Sequence, residues 1–201
     1  MSAQLPPIEV EFPDLARWAA GNAGIPHVWT FAAERSGPHV LVQALTHGNE
    51  VCGAIAVDWL LATGFRPLRG TVSFCFANIA AYESFDPADP FASRCVDEDF
   101  NRLWTPDVLD GPRQTADLVR ARELRPLYDR VDYLLDLHSM TDRCPPLAMA
   151  GRQRKGAMNL RQCRIRCERP RHVVETIGRA APGQKVTDRG ERKQIGQEIG
   201  A

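Results

Sequence analysis

Short apolar runs alternate along the chain with segments in which apolar residues recur at helical spacing. The apolar runs predict β-strands, most clearly at 26–31, 38–47, 71–80 and 131–140, and more weakly at 145–151. Beyond residue 151 the only candidate element is at 172–178, and the pattern does not assign its type. The helical spacing predicts α-helices at 13–24, 50–62 and 114–130. Because a strand, a helix and a strand follow one another over residues 38–80, we expect a parallel pair with a right-handed crossover. The pattern therefore predicts an α/β fold.

The helix at 50–62 has the clearest end signals. Asn49 is expected to be its N-cap and Gly64 its C-terminal stop. Its spacing predicts an inward face made of Val51, Ala54, Ile55 and Leu61. Residues 82–112, in contrast, contain four prolines and follow neither period, which indicates a long ordered loop. Loops of that length in compact domains are usually functional or disordered.

The chain has 201 residues and is 44% hydrophobic, enough for one buried core. Its zero formal net charge argues against nucleic acid or membrane as a partner, but the charge is unevenly distributed. Residues 1–151 have 12 basic and 20 acidic side chains, whereas residues 152–201 have 13 basic and 5 acidic side chains and no Phe, Tyr or Trp. We therefore predict a domain at 1–151 and an atypical basic tail at 152–201, whose composition is typical of disordered segments.

Neither an apolar run of about 18 residues nor the basic-then-apolar order of a signal peptide is found, so we expect a cytoplasmic protein. The six cysteines are then expected to be reduced. The arginine-rich tail leaves a nucleic-acid contact open as a weak alternative, which would bind in a strongly salt-dependent way. The Cys163-x-x-x-Cys167 spacing is an equally weak metal motif, because its second half is missing.

Two of the predicted strands lead into polar residues at their carboxyl ends. The strand at 38–47 ends on His47, with Glu50 one short loop later, and the strand at 131–140 contains His138 near its end. Ligands of an open parallel sheet lie outside the carboxyl ends of its strands. Two imidazoles and one carboxylate are the protein ligands of many catalytic zinc sites. Asp136 shares the strand face of His138 and could hydrogen-bond to it from behind.

Four motifs then occur in a fixed order over residues 38–151: THGNE at 46–50, ANIAAYE at 77–83, RCVDEDFNRLW at 94–104 and LLDLHSM at 134–140. In these motifs the chain resembles the succinylglutamate desuccinylase/aspartoacylase family of zinc amidohydrolases, which are related in fold to the zinc carboxypeptidases. The resemblance implies a three-layer, mixed but mostly parallel sheet flanked by helices. It also implies that His47, Glu50 and His138 hold one zinc ion per chain.

The resemblance implies roles in the long loop as well. Asn101 and Arg102 match the pair that holds the substrate carboxylate, and Arg94 matches an arginine of the same pocket. A guanidinium suits that task because it can donate two parallel hydrogen bonds to a carboxylate. From the residues alone, the arginines could instead neutralise the neighbouring acids of the loop. Those acids, such as Asp99, are expected to order the loop rather than to take part in catalysis.

The family's general base is a glutamate in a Glu-x-Gly sequence, and the comparable residue here is Glu198, near the end of the chain. The tail otherwise departs from the family's pattern, so we expect a C-terminally incomplete form, truncated or frameshifted after about residue 155. The resemblance implies a hydrolase acting on the amide or ester bond of an N-acyl amino acid or similar small carboxylate. The alternative is an inactive family member that serves at most as a metal-binding or interaction module.

Overall fold

The structure of the protein is a computed structural model, which describes residues 9–140 and the backbone of two further strands at 148–150 and 173–176. The described part contains six strands: β1 (Val28–Ala32), β2 (His39–Ala44), β3 (Thr71–Phe76), β4 (Tyr133–His138), β5 (Ala148–Ala150) and β6 (Val173–Thr176). They form one sheet in the order β1-β3-β2-β4-β6-β5. The central strand β2 pairs in parallel with β3 and β4, whereas β1 and β6 run antiparallel to their neighbours β3 and β4.

Helices cover both faces of this sheet. They are α1 (Val51–Ala62), α2 (Ile79–Glu83), α3 (Pro106–Leu109) and α4 (Ala116–Tyr128), with single 3-10 turns at Ala16–Trp18, Ala92–Arg94 and Phe100–Arg102. One core joins α1 to the strand residues Phe74 and Phe76, and the other joins α4 to Leu41 and Leu134. Alternate strand residues thus supply the two cores, as the period of two in a strand requires.

The sheet and α1 lie unusually close together where the functional residues begin. A Cβ atom added at Gly53 would lie 2.9 Å from the Leu137 side chain and 3.1 Å from that of Ala44. Because those two residues lie in β4 and β2, the first turn of α1 sits directly over the paired ends of these strands. This glycine therefore allows the start of α1 to approach the carboxyl end of the sheet.

The α/β fold predicted from the sequence is confirmed: it is a three-layer, mixed sheet flanked by helices. The five predicted strands are present, in shorter form, and β2 and β3 pair in parallel as expected. The element left without a type at 172–178 contains β6. The helices at 50–62 and 114–130 are also confirmed as α1 and α4. None of the helices in the described ranges is long and apolar enough to cross a membrane.

Three local predictions are wrong. The helix expected at 13–24 is only the 3-10 turn at Ala16–Trp18, because Gly21 and Gly24 then take positive φ angles of 59° and 75° and redirect the chain into β1. Glu50, not Asn49, is the N-cap residue of α1, with non-helical angles of φ −95° and ψ 66°. Ile55 is 38% exposed, since the buried face of α1 continues through Val57 instead.

The predicted long loop at 82–112 contains more regular structure than its sequence indicates. Two 3-10 turns and the short helix α3 lie within it. Each of these elements is only three or four residues long, which explains why no helical period extends far enough to be recognised. The predicted basic tail at 152–201, including Glu198, lies outside the described residues except for β6.

Candidate metal centre

The parallel pairing of β2 with β4 brings two distant histidines to one edge of the sheet. Ala44, the last residue of β2, is paired with Leu137, and His138 ends β4. His47 follows β2 after two residues, and Glu50 precedes the first helical residue of α1. The strand pairing therefore places both histidines and the glutamate together, although Thr46 and Asp136 beside them are 90 residues apart in the chain.

Glu50 lies between the two histidines. One carboxylate oxygen, Oε1, is 2.8 Å from Nδ1 of His47, and the other, Oε2, is 2.6 Å from Nδ1 of His138. One potential ligand atom from each residue lies within 4.8 Å of the other two, and all three side chains are buried. Two imidazole nitrogens and one carboxylate that face a common point could hold a metal ion, and this donor set is typical of a catalytic zinc site.

A tight turn between β2 and α1 positions His47. Leu45 is fully buried and has a φ angle of 61°, a backbone conformation that residues with bulky side chains rarely adopt. A Cβ atom added at Gly48 would lie 2.5 Å from the carbonyl oxygens of both Ala81 and Ser93. The turn is thus packed directly against α2 and the 3-10 turn at 92–94. Unusual backbone conformations such as that of Leu45 are often found at functional sites.

The charges of the three residues depend on one another. Burial alone would raise the pKa of Glu50, but hydrogen bonds from His138 and His47 outweigh it and lower the pKa to about 2. Burial likewise acts to lower the pKa of His138, but Asp136 and Glu50 raise it to about 10. Without a metal ion, a proton on His138 therefore stabilises the glutamate, and metal binding would release that proton.

Asp136 contacts the opposite side of His138, as the sequence predicts. Its Oδ2 atom lies 2.9 Å from Nε2 of His138, and the carboxylate is 1% exposed. A carboxylate in this position fixes the ring orientation and makes Nε2 the protonated nitrogen, which leaves Nδ1 for a ligand.

The loop at 94–102 brings further polar groups to the cluster. Asn101 Nδ2 lies 3.5 Å and Asp99 Oδ1 3.3 Å from Nε2 of His47. Nη1 of Arg94 lies 3.4 Å from Oε1 of Glu50, and Nη2 of Arg94 lies 3.6 Å from Oδ2 of Asp99. Two of the three predicted substrate-binding residues, Arg94 and Asn101, thus lie beside the cluster. Arg102 is exposed, and its guanidinium donates to the carbonyl oxygen of Asn101.

The loop acids order the loop, as predicted. Asp99 accepts a hydrogen bond from the Asn101 amide and caps the 3-10 turn that follows. Asp97 accepts one from the amide of Ala116 at the start of α4. Arg94 forms an ion pair with Asp99 and also lies beside Glu50 of the cluster. An arginine of this loop can therefore neutralise a loop acid and line the pocket at the same time.

Sequence reasoning missed Asp117, the residue that holds this loop. Its buried carboxylate accepts hydrogen bonds from the amides of Val96, Asp97 and Glu98 and from the side chain of Asn78. It therefore joins the second and third sequence motifs to the first turn of α4. An acid in the first turn of a helix is usually explained by the helix dipole, so no sequence signal indicates that this carboxylate is fully buried.

Comparison with known proteins identifies one family. The model of the succinylglutamate desuccinylase/aspartoacylase catalytic domain matches residues 36–174. No curated protein sequence matches the chain.

Solved structures give the same result at the level of the fold. Murine aminoacylase 3 is 22% identical, with a TM-score of 0.53 over 78% of this chain and 60% of that one. The succinylglutamate desuccinylase from Chromobacterium violaceum is also 22% identical, with a TM-score of 0.51 over 80% of this chain and 60% of that one. A family protein from Rhodobacter sphaeroides is 26% identical, with a TM-score of 0.49 over 68% and 40%. The chain thus spans 40% to 60% of the length of these three proteins.

Proposed function

The chain belongs to the succinylglutamate desuccinylase/aspartoacylase family, and we propose that it is a zinc-dependent hydrolase that cleaves the amide or ester bond of an N-acyl amino acid or a similar small carboxylate. The observation that carries this proposal is the convergence of His47, Glu50 and His138 at the carboxyl ends of β2 and β4. Proteins of this family are hydrolases of acylated amino acids, and the donor set of the cluster suits the metal that such chemistry uses.

His47, Glu50 and His138 would hold one zinc ion per chain. A zinc ion bound there would supply a Lewis acid for the acyl carbonyl and lower the pKa of water. Glu50 adds a negative charge to two neutral imidazoles, which suits a divalent cation. Asp136 supports the site by keeping the His138 ring in one orientation through its hydrogen bond to Nε2.

The loop at 94–102 would bind the carboxylate of the amino-acid half. Arg94 is close enough to the cluster to reach Glu50, and Asn101 is close enough to reach His47. Arg102 is exposed beside Asn101 and could turn toward an incoming carboxylate. A guanidinium that donates two hydrogen bonds to this carboxylate would hold the scissile bond in place. Such positioning of the substrate can supply a large part of the rate enhancement.

A carboxylate must also move a proton from water to the leaving nitrogen. Glu198 is our candidate for this role, on the strength of its Glu-x-Gly sequence alone. Glu198→Gln is expected to abolish hydrolysis and to leave the zinc content unchanged, because an amide cannot take up the proton. Unchanged turnover in this variant would show that another group is the base.

The first experiment is elemental analysis of the purified 201-residue chain. We expect about one zinc ion per chain, and close to none in His138→Ala, because the cluster then has only two ligands. His39→Ala is the matched control: His39 lies at the opposite end of β2 and bonds to Ser73, so this variant should keep its zinc. Absence of zinc from the wild-type chain would contradict the proposal.

Hydrolysis is tested separately on N-succinylglutamate and N-acylated aspartate, the substrates that the family's names indicate. Release of the free amino acid that depends on zinc would support the full proposal. A chain that binds zinc but releases no amino acid would be a metal-binding family member without this activity.

A further inference from the structure

A chain of hydrogen bonds runs from the metal centre into the core on the α4 side of the sheet. We propose that Thr46 and Gln43 are positioning residues for His138, which they orient through Asp136, and that Tyr128 completes the chain of hydrogen bonds. The inference rests on the zinc site of the proposed function. Of the residues that it concerns, Thr46 belongs to one of the four sequence motifs, whereas Gln43 and Tyr128 lie outside all of them.

The contacts are continuous. The Thr46 hydroxyl lies 2.8 Å from each carboxylate oxygen of Asp136. The side-chain amide nitrogen of Gln43 lies 2.8 Å from that hydroxyl oxygen. The Tyr128 hydroxyl, on the last residue of α4, donates to the amide oxygen of Gln43. Four side chains thus link the imidazole of His138 to a helix on the far side of the sheet.

The chemistry of these groups allows one direction for the protons. Burial raises the pKa of Tyr128 well above its ordinary value, so the phenol stays protonated and donates to Gln43. The Gln43 amide oxygen is then an acceptor, and its NH2 group donates to Thr46. Since Thr46 has one proton, that proton points to Asp136. Asp136 as an acceptor leaves the Nε2 proton of His138 as its other donor.

The direction of these hydrogen bonds determines which ring nitrogen of His138 is free to bind a metal ion. With its proton on Nε2, the ring presents Nδ1, the atom that faces Glu50 at 2.6 Å. If Thr46 did not donate, Asp136 would lose one of the two side-chain donors that it has among the described residues and could rotate away from His138. The carboxylate behind a ligating histidine is commonly important for metal affinity, and here its own orientation depends on Thr46 and Gln43.

Packing alone does not explain Gln43. Its neighbour on the same face of β2, Leu41, is fully buried and apolar, and Gln43 itself is 2% exposed. A leucine would fill such a position without needing any hydrogen bond, whereas a buried amide destabilises the fold unless both its ends are satisfied. A glutamine at this point indicates that the hydrogen bonds are the reason for its presence.

The experiment measures the zinc dissociation constant of the full chain by competition with a chromogenic chelator. Thr46→Val keeps the shape and removes the donor, and we expect about a 10- to 100-fold weaker affinity. Thr46→Ser restores the hydroxyl and should bind nearly as wild type does. Gln43→Met should have a smaller effect than Thr46→Val, and Tyr128→Phe the smallest, since each lies one bond further from His138.

Ser73→Ala is the matched control for a buried hydroxyl. Ser73 is fully buried on the neighbouring strand β3 and bonds to Thr30 at 2.7 Å and His39 at 2.8 Å. Its loss should lower the melting temperature without changing zinc affinity. The visible spectrum of the Co²⁺-loaded chain gives a second readout, which should change in Thr46→Val and not in Ser73→Ala.

Three results would overturn the inference: wild-type zinc affinity in both Thr46→Val and Gln43→Met, an equal loss in Ser73→Ala, or no zinc binding by the wild-type chain. If Thr46→Val does not fold, Gln43→Met and Tyr128→Phe decide the matter by the same comparison of affinity with melting temperature. Only the last of the three results also contradicts the proposed function. Zinc binding without hydrolysis would contradict the proposed reaction and leave this inference standing.

Discussion

The candidate metal centre and the loop at 94–102 meet at His47, yet they are held in place in different ways. The centre lies on regular elements, where paired strand ends and the start of α1 fix His47, Glu50 and His138 through main-chain hydrogen bonds. The loop has little regular structure, and one buried carboxylate, that of Asp117, bonds to three of its amides in a row. Metal binding and substrate binding should therefore fail independently of each other.

The largest effect is expected at the metal centre. Glu50→Ala removes the ligand that lies between the two histidines, so the zinc content should fall from about one per chain to near zero. Arg94 loses its contact with Glu50, but the amides of residues 96–98 should be unaffected, because Asp117 holds them from the other side. Elemental analysis measures the first effect, and hydrogen exchange at the amides of residues 96–98 measures the second. Faster exchange at these amides would contradict the independence of the two regions.

The next largest effect is expected at Asp117. Asp117→Ala leaves three main-chain amides and the buried Asn78 side chain without their acceptor, which should lower the free energy of unfolding by about 2 to 3 kcal/mol. KM for the substrate should rise, while zinc affinity stays close to that of the wild type. Denaturant unfolding, steady-state kinetics and zinc competition measure the three quantities.

Asp107→Ala is the matched control for Asp117, because Asp107 is an exposed acid in the first turn of α3. This change should alter stability by no more than about 0.5 kcal/mol. A loss of zinc in Asp117→Ala as large as its loss of stability would show that the loop and the centre form one unit.

A smaller effect is expected at Arg102. Loss of one charge-assisted hydrogen bond to the substrate carboxylate, worth about 1.5 kcal/mol, should lower kcat/KM about tenfold in Arg102→Ala. Zinc affinity should not change, because the guanidinium contacts the Asn101 carbonyl oxygen and not the ligands. Arg125→Ala, which breaks an ion pair with Asp110 on the surface, is the control and should keep full activity.

The smallest effect is a pH dependence of stability. Burial acts to raise the pKa of Asp117, but hydrogen bonds from Asp97, Glu98 and Asn78 outweigh it and bring the pKa below the ordinary 3.8. The unfolded chain then takes up this proton at a higher pH than the folded chain does. The stabilisation is thus fully present above pH 3.8 and is lost as the pH falls through the lowered pKa. Acid unfolding of Asp117→Asn should lack this component, and identical profiles would contradict the assignment.

The sequence predicted the meeting of His47, Glu50 and His138 better than the surroundings of this cluster, for a physical reason. Apolar runs identify β2 and β4, and parallel strands bring their carboxyl ends to one edge, so the meeting of His47 with His138 follows from pattern alone. Asp117 and Gln43 could not be predicted in this way. A buried polar residue gives no periodic signal, and its partners lie far away in sequence, Asn78 at 39 residues and Tyr128 at 85. The same holds for the 3-10 turn at Ala16–Trp18, since local spacing alone cannot show that glycines will redirect the chain.

The separation of Thr46 from Asp136 by 90 residues has a consequence for the cohesion of the chain. His47 and Glu50 are three residues apart and belong to one turn, whereas His138 reaches them only after β2 and β4 have paired. A metal ion bound to all three would therefore cross-link the two strands, as a disulfide does, and close a long loop. Such a cross-link lowers the conformational entropy of the unfolded chain, and it does so by more when the closed loop is longer. The three side chains that suit a hydrolytic site would then also stabilise the sheet. Removal of the metal ion by a chelator would therefore lower the stability of the fold as well as abolish activity.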